Sequence, residues 1–447
     1  MKRKIVFLCL VVILSMVLMP ACQGAAEPPA EEEAPPAEEE AAPEEEEAAP
    51  EEEEEEEEAE AEVEPIRVGV LAPLSGAFAG LGEENVVGVE IAMEEIDYEI
   101  CGRPVELFIE DTEITPDVAI EKARALVNRD DVHFIIGPLS GSTSLAVKEA
   151  SFEWPDVTVL PGGAANDITM REIAPNVYRN SFAGGQPLYP LAEWAVENDY
   201  DTIATIGEDY SFPWDQIGGF AYSYCQLGGK IAEAYWTPIG TGDYSSIISE
   251  LDPDEIDAVL VAFGGTDAIN FVKQFNDFGL VGEIDFLGGS SFQDPSVLAE
   301  VGDLMEGTVG GSLYTSTLTF DEFKSFDAAF REKRGYPSTL FAENFYRAAK
   351  WITLATEQNN CNIEDVDSWR ETLQDTEFVA PSGPVSFDEY HNPVQTIYLN
   401  RVVCEDGECF NETFETFEDV TQYYKFDQEA FDAALPFGRD NPSCPPE

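Results

Sequence analysis

The segment Val132-His133-Phe134-Ile135-Ile136-Gly137-Pro138-Leu139-Ser140-Gly141-Ser142-Thr143 decides the fold class. Val132 to Ile136 is a short apolar run, the length of a buried strand. A Gly-Pro turn and small hydroxyl residues come next, and Ser144 to Phe152 has the spacing of a helix. A buried strand that turns through glycine into a helix is a unit of a parallel sheet.

The same unit recurs on both sides. Upstream, Ile66 to Leu71 and Val105 to Ile109 read as strands. Glu83 to Ile96 (Val86, Val87, Val89, Ile91, Ala92, Ile96) and Pro116 to Val127, opened by Thr115, read as helices. Val157 to Leu160 is a further strand. Such βαβα alternation requires a parallel sheet with helices on both faces. The rhythm then restarts. Leu188 to Glu197, Gln216 to Leu227, Ser245 to Leu251 and Ala268 to Phe278 read as helices. Thr202 to Ile206, Lys230 to Trp236, Ala258 to Ala262 and Ile284 to Leu287 read as strands of a second sheet. Long helices are expected at Asp321 to Arg334 and Leu340 to Glu357. From Val385 the pattern changes, and Val394 to Val403 with Glu408 to Phe414 reads as a β-hairpin. The expected fold is α/β, two Rossmann-like lobes with a β-rich C-terminal extension.

The 447 residues exceed one ordinary domain. The N-terminus begins with Lys2, Arg3 and Lys4, and an apolar run from Ile5 to Leu18 has signal-peptide length. Met19-Pro20-Ala21-Cys22 resembles a bacterial lipobox, which predicts cleavage after residue 21 and lipidation of Cys22; ordinary secretion with cleavage near Ala21 is the other reading. Residues 23–64 are nearly all Glu, Ala and Pro, with 22 Glu and no Lys or Arg. Like charges repel and nothing apolar collapses, so a disordered tether is expected. Without that tether and the three leading bases, the body still carries about −48. A field of that sign disfavours nucleic acid and anionic membrane surfaces.

Six cysteines remain after Cys9 and Cys22: Cys101, Cys225, Cys361, Cys404, Cys409 and Cys444. An even number in an exported chain points to disulfides. Asp406-Gly407 lies between Cys404 and Cys409, a hairpin spacing that allows them to bridge; the other pairings stay open. Only His133 and His391 occur, without metal-ligand spacing, so no metal is expected. There is no GxSxG and no Walker A motif. Gly80-Leu81-Gly82 lacks the third glycine of a dinucleotide site. Neither an enzyme nor a cofactor is expected.

Gly69-Val70-Leu71-Ala72-Pro73-Leu74-Ser75-Gly76, Asp111-Thr112, Ile136 to Ser142 and Leu160-Pro161-Gly162-Gly163-Ala164-Ala165-Asn166 occur in order along the chain. This series resembles the type I periplasmic binding proteins of the branched-chain amino acid class. Arg179-Asn180-Ser181-Phe182, Gln186-Pro187, Glu208 to Phe212, Phe387 to Pro393 and Tyr423 to Asp427 are similar to one branch, the ABC-importer binding proteins for aromatic acids such as benzoate and coumarate. The resemblance runs from about Ile66 to the C-terminus. It implies two lobes joined by a three-crossover hinge that close over a small carboxylate. The implied segments are a signal peptide at 1–21, a lipidated tether at 22–64, a first lobe at 65–182 and 315–380, and a second lobe with the C-terminal extension at 183–314 and 381–447. The implied partners are ABC permease and ATPase subunits and, through the lipid, the membrane, for a monomer on the extracytoplasmic face.

Ligands of open α/β sheets bind beyond the carboxyl ends of strands. Gly137 to Ser142 lies at such an end, where free N–H groups and a helix N-terminus suit a carboxylate. Ser140, Gly141, Ser142 and Thr143 are therefore candidates; their hydroxyls also suit helix capping. Gly163, Ala164 and Ala165 follow the next strand. The resemblance places Phe212 over the ligand, although a turn aromatic would look the same, and adds Thr266 and Ser290 from the second lobe. Phe78 is a candidate apolar wall or a core residue. Two positions depart from the pattern implied. Gly141 replaces a serine and Ala165 a threonine. Ser290 stands near the place of a glutamate that pairs an α-ammonium, which favours a ligand without one; Asp267 or Asp209 remains a substitute. The alternative role is a sensor that docks on a separate receptor, which neighbouring kinase genes rather than permease genes would indicate.

Overall fold

The computed structural model describes residues 63–441, apart from the side chain of Ala77. The signal peptide, Cys22, nearly all of the tether and Cys444 lie outside the described residues. β1 (Ile66–Ala72) leads to α1 (Ala79–Glu94). β2 (Glu99–Ile100) and β3 (Arg103–Asp111) precede α2 (Pro116–Asn128), and β4 (Phe134–Ile136), α3 (Gly141–Ser151) and β5 (Thr158–Leu160) complete the first run. The second run is α4 (Tyr189–Glu197), β6 (Thr202–Glu208), α5 (Ser211–Gln226), β7 (Lys230–Thr237), α6 (Ser245–Ile248), β8 (Ala258–Ala262), α7 (Gly265–Asp277), β9 (Asp285–Gly289), α8 (Pro295–Val301) and β10 (Val309–Ser312). α9 (Asp321–Arg334), α10 (Leu340–Gln358) and α11 (Val366–Asp375) follow. The chain then forms β11 (Phe378–Ala380), β12 (Gly383–Phe387), β13 (Pro393–Glu405), β14 (Glu408–Val420) and α12 (Gln428–Ala434).

Two sheets result, the two lobes of an α/β fold. The first has the order β2-β3-β1-β4-β5, with β1 parallel to β3 and β4, and β4 parallel to β5. The second runs β11-β12-β13-β10-β9-β8-β6-β7, with β14 paired to β13. Its β7-β6-β8-β9-β10 portion is parallel throughout. Both parallel portions start a doubly wound pattern in which the chain reverses direction across the sheet. The reversal falls between β1 and β4 in one lobe and between β6 and β8 in the other, and such switch points open the crevices where ligands bind.

The strands form because they are apolar on both faces. β1 reads IRVGVLA and is buried apart from Arg67. One face of the first sheet packs α2, α3 and the turn after α3 through Leu126, Val147 and Trp154. The other packs α1, α10 and α11 through Val89, Phe345, Trp351 and Trp369. The helices α9 to α11 thus pack with the first lobe although they follow the last parallel strand of the second. The chain passes between lobes three times: after β5, after β10 and after α11. The C-terminal strands do not stand apart. β13 pairs antiparallel with β10, so the β-rich extension widens the second sheet. β11, at the end of the segment expected in the first lobe, pairs with β12 in that same sheet.

The hairpin β13–β14 turns at Asp406-Gly407, both with positive φ (53° and 87°), the conformation of a two-residue turn for which Asp-Gly is suited. Cys404 and Cys409 face each other across it and are bonded. A second disulfide joins Cys101 to Cys361 within the first lobe, and Cys225 is also disulfide-bonded. No helix among the described residues is long and apolar enough to cross a membrane.

Candidate functional site

The lobes meet where the loops after β4 and β5 approach the start of α5. Ser140 caps α3. Its Oγ accepts from the Thr143 N–H at 3.3 Å, and Thr143 Oγ1 donates to the Ser140 carbonyl at 3.0 Å. Thr143 is fully buried, so its hydroxyl serves the cap. Gly141 and Ser142 form the open end of the helix. Ser142 Oγ lies 3.1 Å from Ser211 Oγ of the opposite lobe. A Cβ on Gly141 would stand 2.7 Å from that same Ser211 Oγ. The hydroxyl absent from position 141 therefore has a counterpart supplied from across the cleft.

The loop at Gly163–Asn166 is oriented from beneath by Arg179, which is fully buried. Arg179 Nη1 donates to Gly163 O at 2.8 Å, and Nη2 donates to Ala165 O at 2.7 Å. A trans peptide points its N–H opposite to its C=O. Holding those two carbonyls inward turns the amides of Ala164 and Asn166 outward, toward the second lobe. There Asp215 Oδ2, on α5, accepts from the Asn166 N–H at 2.7 Å. Burial draws Arg179 down to about 9 and pushes the Asp215 carboxyl up to about 8, against the pull of the Asn166 amide. Among the described residues, nothing accepts a hydrogen bond from the N–H of Gly141, Ser142, Ala164 or Ala165. These unspent amides, with the positive end of α3, make an anion-receiving edge.

Phe212 lies on the second-lobe side, its ring centroid 6.2 Å from that of Phe182 in edge-to-face geometry. The end of β6 and the first turn of α7 bring a pair of carboxyls together. Glu208 is 4% exposed, and burial, reinforced by neighbouring Asp267, pushes it up to about 8. Asp267 accepts from the Gly240 N–H at 2.7 Å, and burial raises it too. Asp209 is otherwise engaged: it accepts from Trp214 Nε1 at 3.1 Å and pairs with Arg439.

The structure thus gathers Ser140, Gly141, Ser142, Thr143, Gly163, Ala164, Ala165 and Phe212 around one seam. Thr266 is exposed in the first turn of α7. Ser290 donates to Ser312 Oγ at 2.8 Å, toward β10. Phe78 is half-buried in a short turn after β1. No hydrogen bond or ring contact among the described residues ties these three to the seam. Sequence reasoning missed Arg179, Ser211, Asp215 and Glu208 as parts of the site, although Arg179, Glu208 and Ser211 lie inside motifs that carried the resemblance.

Two doubly wound lobes, three crossovers and an amide-lined seam define a bilobed binding protein. The model of the family described as periplasmic binding protein matches residues 65–408, and the chain belongs to that family. A Leu/Ile/Val-binding protein homolog from Brucella melitensis is 26% identical over 360 residues, covering 79% of this chain and 92% of that protein. An ABC transporter substrate-binding protein from Sphaerobacter thermophilus is 32% identical and superposes with a TM-score of 0.76, covering 80% of this chain and 99% of that one. A solute-binding protein from Rhodopseudomonas palustris, solved with 3,4-dihydroxybenzoic acid, is 25% identical with a TM-score of 0.76, covering 81% and 99%. The chain is a substrate-binding protein of the type I class that spans branched-chain amino acid and aromatic acid binders, not an enzyme. Membership implies an extracytoplasmic location.

Proposed function

We propose that this protein is a lipid-anchored solute-binding protein of an ABC importer that captures a small aromatic carboxylate by lobe closure and delivers it to a permease. The observation that carries the reading is the set of unspent amides at Gly141, Ser142, Ala164 and Ala165, gathered at the N-terminus of α3 where Gly141 and Ser142 approach Ser211 of the second lobe. A carboxylate accepts from such amides, while the ring of Phe212 offers an apolar edge. Closure shields these contacts from water and joins both lobes into one surface for the permease. The relative solved with 3,4-dihydroxybenzoic acid supports an aromatic acid as the ligand class. Cys22 carries the lipid, the acidic tether gives reach, and the protein acts as a monomer without metal or cofactor.

One observation favours a second ligand. The Glu208–Asp267 pair would accept an α-ammonium, and the Brucella relative bears a Leu/Ile/Val-binding name. Calorimetry with 4-hydroxybenzoate, 3,4-dihydroxybenzoate, cinnamate and leucine separates the two. The aromatic reading expects saturable binding of an aromatic acid and about tenfold weaker binding in Phe212→Ala, a difference of about 1.4 kcal/mol. Binding of leucine alone, lost in Glu208→Gln, would establish the amino acid instead.

A further inference from the structure

The chain continues past residue 408, where the family match ends, and its last described stretch comes back beside α5. Leu435 and Phe437, 7% and 4% exposed, follow α12. Phe437 seats against Gly218 in the middle of α5, where a Cβ would stand 2.2 Å from the ring's Cγ. Gly219 makes a similar approach on an adjacent face, its would-be Cβ 2.6 Å from Gly185 Cα in the first crossover. Glycine costs helix stability, so a pair of them marks a helix squeezed between neighbours. α5 is the helix that carries Ser211, Phe212 and Asp215 to the seam.

The same stretch is fixed at both ends. On the second lobe, Arg439 pairs with Asp209, just ahead of Ser211, with Nε 3.3 Å from Oδ1. On the first lobe, Arg171 Nη1 donates to the Leu435 carbonyl at 3.3 Å. Arg171 is tied to the first lobe. Its Nε donates to Asp167 at 2.7 Å, and Lys148 of α3 donates to the carbonyls of Asp167 and Arg171 at 2.6 and 3.0 Å. Its guanidinium is also attracted by Asp215 of α5 and Asp432 of α12. Between the anchors the backbone is closed on itself. Gly438 and Asn441 exchange two backbone hydrogen bonds at 3.1 and 3.0 Å, and Asn441 Nδ2 donates to the carbonyls of Ala434 and Pro436 at 2.9 and 3.0 Å. A turn of that kind passes a displacement from one anchor to the other rather than absorbing it.

We propose that Leu435 to Asn441 is a strap across the lobes: Phe437 and Arg439 position α5 while the Leu435 carbonyl holds Arg171, so the tail stabilises the closed form and slows release of the bound solute. The proposal rests on capture by lobe closure and is independent of which solute the cleft takes. A tail that only covered the second lobe would need neither Arg171 nor a closed turn. Because the two anchors act in series, cutting either one releases the strap.

The Asn166 amide is the reporter, because its N–H is bonded to Asp215 on the other lobe and is freed when the lobes part. In the full-length protein without solute, hydrogen exchange at Asn166 should be about threefold to tenfold faster in Arg171→Gln and in Phe437→Ala, the weight of the single hydrogen bond at the first-lobe end. In Arg171→Gln, exchange in β8, the middle of the parallel strands of the second sheet, should stay unchanged. The double variant should be no faster than the faster single one, since a strap cut at one end has nothing left to lose. Dissociation of 4-hydroxybenzoate and of leucine, followed by stopped-flow fluorescence, should quicken in the same pattern for whichever of them binds. Unchanged exchange at Asn166 in both variants, or effects that add in the double variant, would overturn the strap. Should Phe437→Ala fail to fold, Arg439→Gln cuts the same end. Wild-type protein that binds neither probe would count against the proposed function, while exchange at Asn166 still decides the strap.

Discussion

At Gly141 the lobes come within reach of each other, and a single methyl group tests what that contact does. A Cβ there would stand 2.7 Å from Ser211 Oγ and 3.1 Å from Ala165 Cβ. The first clash exists only when the lobes are together. Gly141→Ala should therefore weaken binding of the acid found by calorimetry about tenfold, while leaving the unliganded melting midpoint within about 2 °C. Adding Ser211→Ala removes the opposing hydroxyl and should recover much of the loss, a coupling that a double-mutant cycle measures. Additive effects would show that the two positions do not meet in the bound state. The sequence exposes Gly141 as a departure but not its reason, because the hydroxyl that stands beside it comes from a residue 70 positions later. Asp215 was illegible for the same reason: its amide partner lies on the other lobe.

Elements were more legible than sites. α9 and β8 have the boundaries that periodicity predicts, Asp321–Arg334 and Ala258–Ala262. The hairpin and its disulfide follow from Asp-Gly between two cysteines. β10 was not legible. It reads Val309-Gly310-Gly311-Ser312, and glycine carries no strand propensity. Its glycines are there because neighbours crowd them: Gly311 packs against the Pro187 carbonyl and Gly310 against Gln293. The pairing of Cys101 with Cys361 had no local signal, since the bond spans 260 residues. That span sets its energetic weight. In the chain-entropy view a long loop loses more freedom when closed, about 2 kcal/mol for the five-residue separation of Cys404–Cys409 and on the order of 5 for the long one. Replacing Cys101 and Cys361 by Ser should thus lower the urea-unfolding free energy by clearly more than replacing Cys404 and Cys409. The reverse order would show that the hairpin bond, not the long loop, constrains the unfolded chain.

The molecule as a whole is acidic, yet its buried carboxyls make a sharper statement about pH than its net charge does. Burial raises Glu84 to about 7, Glu208 and Asp215 to about 8, and Asp388 to about 6. Each binds its proton more tightly folded than unfolded. Between the two values the folded chain holds the extra protons, so stability is lost as pH rises through the folded value and regained as pH falls. Going from pH 8 to pH 6 should raise the unfolding free energy by several kcal/mol, Glu208 and Asp215 each contributing on the order of 2. Below about pH 4 the trend reverses, because Glu110 beside Arg129 and Lys122, with other carboxyls held low, must then take up protons. Repulsion within a body of about −48 acts in the same direction as the buried groups, but salt screens it. Urea titrations at 0.5 M salt therefore isolate the buried contribution. Glu208→Gln and Asp215→Asn should each flatten the slope between pH 6 and pH 8, since neither amide titrates. A wild-type slope that disappears in salt would assign the effect to surface charge, and one that persists unchanged in both variants would take these two carboxyls out of the account.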